Sequence, residues 1–187
     1  MKNRKEILFR FLGVEYRFAT ADRVFSKDHV DPGTKLLLET LEPTTLRGRV
    51  LDYGCGYGVI AIVCAKMSQL VIEASDVVDR ALVLTRQNAT INGVEVNAFP
   101  VSDLPQAPCY DLILTNPPVR AGKAVIYQMF ETARQLLLPQ GYLRVVLRKQ
   151  QGSQSALKEL LTRFGNSEVL ASKKGYQILQ AQKRLDG

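Results

Sequence analysis

The sequence has few of the residues from which common metal and nucleophile sites are built. It contains one histidine, His29, and three cysteines, Cys55, Cys64 and Cys109. A single histidine excludes a site made of several histidines and argues against a histidine-based catalytic triad. The cysteines are odd in number and lack the spacing of metal ligands, so we expect them to pack as free thiols in a reducing, cytoplasmic compartment, with no bound metal.

Long apolar runs and extreme compositions are also absent. No run of about 18 apolar residues is present, which argues against a membrane-spanning helix. Hydrophobic residues make up 46% of the 187 residues and charged residues 23%, the balance of one ordinary globular domain. The net charge of +7 favours a polyanionic partner such as nucleic acid, because bound cations release counterions from phosphates.

Short apolar segments alternate with helical patterns along most of the chain. The pattern predicts helices over residues 31–41, 58–67, 78–92, 122–138 and 153–164, and strands over 49–52, 70–75, 94–100, 110–115, 142–149, 168–171 and 176–180. This alternation predicts an α/β fold, a Rossmann-like doubly wound sheet whose strand carboxyl ends share one ligand-binding edge. We expect a single domain over residues 1–187. Residues 1–28 would form an N-terminal extension with a hairpin (strands 14–18 and 23–26 around a turn at 19–22), and residues 29–187 the α/β core.

A glycine-rich loop, Asp52-Tyr-Gly-Cys-Gly-Tyr-Gly58, follows the first strand of this alternation. Its glycines allow a ligand to approach the backbone closely, so Gly54, Cys55 and Gly56 are predicted to contact a cofactor. The spacing is G-x-G-x-G rather than the G-x-G-x-x-G of dinucleotide sites, which disfavours a nicotinamide dehydrogenase. The Asp52 carboxylate would repel a pyrophosphate but suits an ammonium group. The loop therefore favours S-adenosyl-L-methionine, which carries an ammonium and a sulfonium.

Two further carboxylates follow the next two strands. Asp76 is placed to accept both ribose hydroxyls of a nucleoside, and Asp103 is placed to accept from an adenine amine. The alternative is that both are solvated turn or N-cap residues. Asp79 fits the first turn of a helix better than a second ribose contact.

An Asn-Pro-Pro turn, Asn116 to Pro118, ends the fourth strand of the sheet. Two prolines fix the backbone and remove two N–H donors, which is expected to leave their carbonyls without internal partners. The Asn116 side-chain oxygen and the Pro117 carbonyl can then converge on a planar –NH2 group and aim its lone pair at a methyl donor. The alternative is a turn that only stops a strand.

Four segments together resemble a known family: Phe25-Ser-Lys-Asp-His-Val-Asp-Pro-Gly-Thr34, the glycine loop, Thr115-Asn-Pro-Pro-Val-Arg-Ala-Gly-Lys123 and Leu147-Arg-Lys-Gln-Gln-Gly152. The chain resembles the class I S-adenosylmethionine-dependent methyltransferases and, more narrowly, the small-domain bacterial 16S ribosomal RNA guanine-N2 methyltransferases. The resemblance implies a seven-stranded sheet with its last strand antiparallel. It also implies cofactor contacts at Asp52, Gly54, Asp76 and Asp103. Asn116 and Pro117 would bind the target amine. It further implies that Thr34 and Phe25 cap the cofactor pocket; core packing is the alternative for Phe25.

The family often has an aromatic residue after Asn-Pro-Pro that stacks on the target base, but this chain has Val119. Loss of that surface removes roughly 1–3 kcal/mol per base by analogy with single-strand binding. Tyr127, Phe25 and Tyr57 are the candidates to replace it.

Basic residues follow the Asn-Pro-Pro turn and the fifth strand. Arg120, Lys123, Arg148 and Lys149 are predicted to line one rim and to contact RNA phosphates around a splayed base, with Val119 beside it. The alternative is an ordinary solvated surface.

The predicted function is methyl transfer from S-adenosylmethionine to an exocyclic amine of a nucleic-acid base, with guanine N2 of ribosomal RNA as the leading target. Within enzymes, the alternatives are adenine N6 and a protein glutamine amide, because Asn-Pro-Pro suits all three amines. A different class is a cofactor-binding or RNA-binding module without activity.

Overall fold

The structure, a computed structural model, describes residues 4–21 and 28–185. In these ranges the helices are α1 (Pro32–Glu39), α2 (Val59–Ser68), α3 (Asp79–Asn92), α4 (Lys123–Leu136) and α5 (Ser153–Phe164). The strands are β1 (Arg4–Phe11), β2 (Val14–Ala21), β3 (Val50–Tyr53), β4 (Ile72–Asp76), β5 (Val96–Pro100), β6 (Tyr110–Thr115), β7 (Leu137–Arg148), β8 (Glu168–Lys173) and β9 (Tyr176–Gln182).

Seven of the strands form one sheet, in the order β5-β4-β3-β6-β7-β9-β8. Strands β3 to β7 run parallel to one another, whereas β9 runs antiparallel to both β7 and β8. This confirms the predicted doubly wound α/β fold with an antiparallel last strand.

The position of the site follows from this strand order. The chain moves outward from β3 to β5 on one side, then returns to β6 on the other side of β3. Ligands of such sheets bind at the carboxyl ends of the strands where the order reverses. The reversed direction of β9 brings its first residue, Tyr176, opposite Arg148 at the end of β7, so β9 also contributes to this edge.

Helices cover both faces of the sheet because both faces of its parallel strands are apolar. Helices α1, α2 and α3 and the β1–β2 hairpin pack on one face, and α4 and α5 pack on the other. Helix α2 is buried from Val59 to Ala65, because it lies between the sheet and its neighbouring helices. No helix within residues 4–21 and 28–185 is long and apolar enough to cross a membrane.

The N-terminal hairpin lies earlier in the chain than predicted. Its turn is Leu12-Gly13, both with positive φ, as a two-residue type I′ turn requires. The predicted turn at 19–22 is wrong for residues 19–21, which belong to β2; the predicted strand at 23–26 lies outside the described residues. Leu8 lies on the other face and is exposed. Alternation explains the pairing, because five large apolar side chains of the two strands fall on one buried face: Ile7, Phe9, Phe11, Tyr16 and Phe18.

Two asparagines of α3 fix the free edge of β2. Asn88 accepts the Ala19 N–H at 2.7 Å and donates to the Ala19 carbonyl at 3.0 Å. Asn92 makes the same pair of bonds with Arg17, at 3.0 and 2.8 Å. Asn88 also donates to the Tyr57 carbonyl in the glycine loop at 2.8 Å, so one buried amide joins the hairpin to that loop.

We expect Asn88→Ala to destabilise the fold by about 2–4 kcal/mol, because it leaves buried backbone groups without partners. Chemical denaturation should show the loss, and the Ala19 amide should exchange with solvent faster. Thr90→Ala, an exposed change on the same helix, is the control. An unchanged unfolding free energy in Asn88→Ala would contradict this role.

The predicted boundary between the fourth helix and the fifth strand is wrong. Helix α4 ends at Leu136 rather than residue 138, and β7 begins at Leu137 rather than residue 142. The polar Gln140-Gly141 pair is typical of a turn, but Gln140 has φ +67° and the pairing register with β6 shifts here. The strand absorbs the irregularity as a bulge and continues.

Candidate functional site

The glycine loop follows β3 and precedes α2. Gly54, Gly56 and Gly58 have φ of 81°, 57° and 92°, conformations that side-chain-bearing residues rarely adopt. The loop is held from behind: Gly54 N–H donates to the Ser75 carbonyl at 2.7 Å, and Gly56 N–H donates to Asp76 at 2.9 Å. A Cβ on Gly56 would meet no atom within 4 Å, so the loop presents its bare backbone on an open side.

Asp52 lies behind this loop and is fully buried. Its Oδ2 accepts the Ala61 N–H at 3.0 Å, in the first turns of α2. Its Oδ1 is buried without a hydrogen-bond partner among the described residues. Burial raises the pKa of Asp52 to about 7, against the Ala61 hydrogen bond and with the help of the nearby Asp76 charge. Direct contact with a cofactor ammonium group stays a prediction.

Asp76 stands at the carboxyl end of β4 and braces two backbone segments. One oxygen accepts the Gly56 N–H, and the other accepts the Val78 N–H at 2.9 Å. Asp76 therefore has the turn role that was the alternative prediction. A ribose contact through the remaining lone pairs of its carboxylate stays a prediction. Val77, next in the chain, is 80% exposed and offers an apolar surface beside this carboxylate.

Asp103 lies in a 3-10 turn after β5 and is exposed. Its Oδ1 accepts from the Ser102 hydroxyl at 2.9 Å, which leaves its other oxygen for solvent or a ligand. Asp79 is the first residue of α3, as predicted.

The cysteines are free and pack as expected. Cys55 turns its Sγ inward, 3.5 Å from the Thr85 hydroxyl, and burial raises its pKa. Its backbone, rather than its thiol, is therefore the part of Cys55 on the open side of the loop. Cys64 is fully buried and Cys109 is partly buried. Within the described ranges, no group of His, Cys, Asp or Glu is arranged to hold a metal ion.

The Asn116 amide is held in one orientation at the end of β6. Its Nδ2 donates to Asp31 Oδ2 at 3.1 Å and to the Thr34 hydroxyl at 2.9 Å. A carboxylate only accepts hydrogen bonds, so the nitrogen must face Asp31. The Asn116 Oδ1 then faces the other way and accepts no hydrogen bond from the described residues.

The two prolines of the turn differ. The Pro118 carbonyl accepts the Ala121 N–H at 2.9 Å, so the prediction that both carbonyls lack internal partners is wrong for Pro118. A short 3-10 turn follows it and uses that group. No donor in the described part of the chain is bonded to the Pro117 carbonyl, which leaves it as an acceptor beside Asn116.

Sequence reasoning missed the role of Asp31. Asp31 is the N-cap of α1 and accepts the Thr34 N–H at 3.0 Å, which the Asp-Pro pattern signals. Its contact with Asn116 spans 85 positions, and spacing alone gives no such pair. Thr34, predicted to cap the cofactor pocket, is buried and contacts Asn116; its cofactor role stays a prediction.

The predicted basic rim is exposed: Arg120, Lys123, Arg148 and Lys149 all face solvent. Lys123 comes close to the loop after β7, because its Cε would lie 3.7 Å from a Cβ on Gly152. The segments after β6 and β7 therefore meet at this edge.

Of the three aromatic residues proposed to replace the stacking residue missing at Val119, the structure disfavours one. Tyr57 is buried and packs edge-on against Phe18, so it offers no free stacking face. Tyr127 is partly buried on α4, Phe25 lies outside the described residues, and Val119 itself is partly buried.

The seven-stranded sheet with this strand order and this loop is the class I methyltransferase fold. The chain belongs to the methyltransferase small domain family, whose model matches residues 15–180.

Three proteins that are similar to this chain in sequence or structure illustrate the family. YbxB of Bacillus subtilis (strain 168), an uncharacterized protein, is 38% identical over 97% of this chain and 92% of its own length. Ribosomal RNA small subunit methyltransferase C of Colwellia psychrerythraea is 33% identical over 91% of this chain. The T. thermophilus 16S rRNA N2 G1207 methyltransferase (RsmC), solved with AdoMet and guanosine, is 29% identical over 97% of this chain, with a TM-score of 0.86. This chain spans about half of the last two proteins, 48% and 51%.

Proposed function

We propose that this chain transfers a methyl group from S-adenosylmethionine to an exocyclic amine of a nucleic-acid base, with guanine N2 of ribosomal RNA as the target. The observation that carries the proposal is the fixed orientation of the Asn116 amide. Its oxygen and the Pro117 carbonyl are two acceptors at the ligand edge of the sheet.

These two acceptors suit a planar amine, which has two N–H donors in one plane. Two hydrogen bonds would hold the amine, raise the electron density on its nitrogen and direct its lone pair. No side chain needs to form a covalent intermediate. Asp31 and Thr34 supply the rigidity, since they hold the amide before the substrate arrives.

The residues present fit S-adenosylmethionine. Gly56 offers bare backbone with open space around it, Asp76 and Asp103 stand at the ends of neighbouring strands, and the exposed Val77 suits a purine face. Gly54, Cys55 and Gly56 would hold the amino-acid part, with the Asp52 charge behind them and Thr34 at the turn. When bound, this cofactor supplies an electrophilic methyl group on sulfur.

A nucleic-acid substrate is supported by charge and by position. The exposed Arg120 follows the acceptor turn, and the exposed Lys123 begins α4. Lys149 lies in the turn after β7, and the chain carries +7 overall. The related small subunit methyltransferase C and the guanosine complex of the T. thermophilus enzyme support guanine N2 in ribosomal RNA.

Transfer of labelled methyl groups tests the proposal. Unmodified ribosomal RNA, DNA and a protein extract are each incubated with the chain and labelled cofactor, and the labelled product is digested and identified. We expect N2-methylguanosine from RNA. Label in N6-methyladenosine or in protein glutamine would support the alternative amines, and cofactor binding without transfer would support a module without activity.

The rim makes a separate prediction. We expect Arg120→Gln combined with Lys123→Gln to weaken RNA binding and to reduce the slope of log affinity against log salt by about 2, one per lost phosphate contact. Affinity for S-adenosylhomocysteine should not change. Arg47→Gln combined with Lys66→Gln is the matched control, because those exposed cations lie before β3 and at the end of α2, at the opposite edge of the sheet. Equal salt slopes in the two double variants would remove the rim from the RNA site.

A further inference from the structure

A chain of hydrogen bonds runs from the protein rim to Asn116. Arg148 Nη2 donates to the Tyr176 hydroxyl at 2.6 Å, and that hydroxyl donates to Asp31 Oδ1 at 3.2 Å. The other Asp31 oxygen accepts from Asn116. Four separate elements therefore meet at the acceptor turn: the end of β7, the start of β9, the N-cap of α1 and the end of β6.

The hydrogen bonds of this series can each run in only one direction. A guanidinium only donates and a carboxylate only accepts, so the Tyr176 hydroxyl must accept from Arg148 and donate to Asp31. Both Asp31 oxygens are then committed as acceptors. Asn116 can meet Asp31 only with its nitrogen, which points its oxygen toward the ligand edge.

The two middle members of this series of hydrogen bonds are buried, although Arg148 at its outer end is exposed. Asp31 and Tyr176 are each 8% exposed. A Cβ on Gly33 would come within 2.6 Å of the Tyr176 ring, so the start of α1 packs directly on that ring. The Arg148 guanidinium lies over the same Tyr176 ring, 4.8 Å from its centroid. Hydrogen bonds inside such low-dielectric surroundings are strong and directional.

We propose that Asp31 and Tyr176 are positioning residues that set which end of the Asn116 amide faces the substrate amine; this rests on the proposed function. An asparagine amide has two nearly isosteric ends and a broad, roughly two-fold torsion. Without a fixed acceptor at its nitrogen it can rotate, and it would then present N–H groups to an amine that also carries N–H groups. The Asp31 carboxylate prevents that rotation.

The competing explanation is that Asp31 only caps α1. Asp31→Ser separates the two roles, because serine is also a good N-cap but its short hydroxyl cannot replace a carboxylate that serves Thr34, Asn116 and Tyr176 together. We expect about a tenfold to hundredfold loss of kcat, from the loss of a preorganised acceptor. KM for RNA and affinity for S-adenosylhomocysteine should change little, whereas the melting temperature should fall because the buried Tyr176 hydroxyl loses its acceptor. Tyr176→Phe keeps the packed ring, removes only the hydroxyl, and should lower kcat in the same direction by a smaller factor.

Asp111→Ser is the matched control. Asp111 accepts the Arg49 N–H at 2.8 Å at the opposite edge of the sheet, so this variant removes a carboxylate–backbone bond without touching the acceptor turn. It should keep its kcat. Full kcat in both Asp31→Ser and Tyr176→Phe, alongside an inactive Asn116→Ala, would overturn this inference and leave the proposed function standing. An active Asn116→Ala would instead overturn the catalytic turn on which the inference rests. If Asp31→Ser does not fold, Tyr176→Phe decides in the same way.

Discussion

Turnover in Asn116→Ala is expected to fall about 10²–10³-fold, the usual effect of removing one preorganised hydrogen bond to a reacting group. The side chain supplies one of two acceptors for the amine, and the Pro117 carbonyl alone leaves that amine free to rotate. Affinity for S-adenosylhomocysteine should stay near the wild-type value, because the glycine loop and the strands β4 and β5 are untouched.

Single-turnover methyl transfer with saturating cofactor measures this effect on the chemical step. The control is Asn97→Ala, which removes an exposed asparagine from the edge strand β5 and should leave turnover unchanged. Wild-type turnover in Asn116→Ala would refute the assignment of this turn as the amine site. Loss of cofactor affinity in parallel would show that Asn116 acts through the cofactor pocket instead.

As the pH rises, Asp52→Asn should become more stable relative to the wild type, whereas its cofactor affinity should fall relative to that of the wild type. Burial raises the pKa of Asp52 to about 7, above the value of an unfolded aspartate. Ionisation of Asp52 therefore costs folding free energy, and the stability from this group is lost as the pH rises from about 4 to about 7. The shift corresponds to about 4 kcal/mol. The stability of Asp52→Asn relative to the wild type should grow by up to that amount between about pH 4 and pH 8.

The same carboxylate should favour a ligand with an ammonium group. If such a ligand stabilises the ionised form, wild-type affinity for S-adenosylhomocysteine should rise roughly tenfold per pH unit at most below about pH 7. Asp52→Asn should lack this rise and bind more weakly at pH 8. Thermal unfolding and calorimetry across the pH range measure both effects. A stability difference that does not vary with pH would contradict the raised pKa of this buried carboxylate, whose Oδ1 has no hydrogen-bond partner among the described residues. Equal pH dependence of binding in both proteins would remove Asp52 from cofactor recognition.

Sequence patterns predicted the parallel part of the fold closely, because each strand and helix is signalled by its own residues. Strand β6 and helix α5 have the predicted limits, and the carboxyl ends of β3 to β6 carry the predicted motifs. The errors fall where tertiary contacts decide. Gln140-Gly141 continues a strand through a bulge because β6 lies alongside, and the hairpin turns at Leu12-Gly13 because five apolar side chains share one buried face.

The candidate site was predictable as a set of residues but not as a set of contacts. Asn116 and Asp76 carry recognisable local signals and lie at the expected edge. The Asp31–Asn116 bond joins residues 85 positions apart, and the Tyr176–Asp31 bond joins residues 145 apart. No local pattern encodes such pairs, since the first depends on how α1 packs beside the end of β6, and the second on the antiparallel last strand that returns Tyr176 to the ligand edge. The full burial of Asp52 is likewise a product of packing by α2.

Analysis of ribosomal RNA from cells with and without this protein tests the central claim most directly. Nucleoside mass spectrometry and mapping by fragment mass locate each methylated guanine. We predict that cells lacking the protein lose N2-methylguanosine at a defined position, and that the wild-type chain restores it while Asn116→Ala does not. Ribosomal RNA with an unchanged set of methylated guanines, or restoration by Asn116→Ala, would contradict the account.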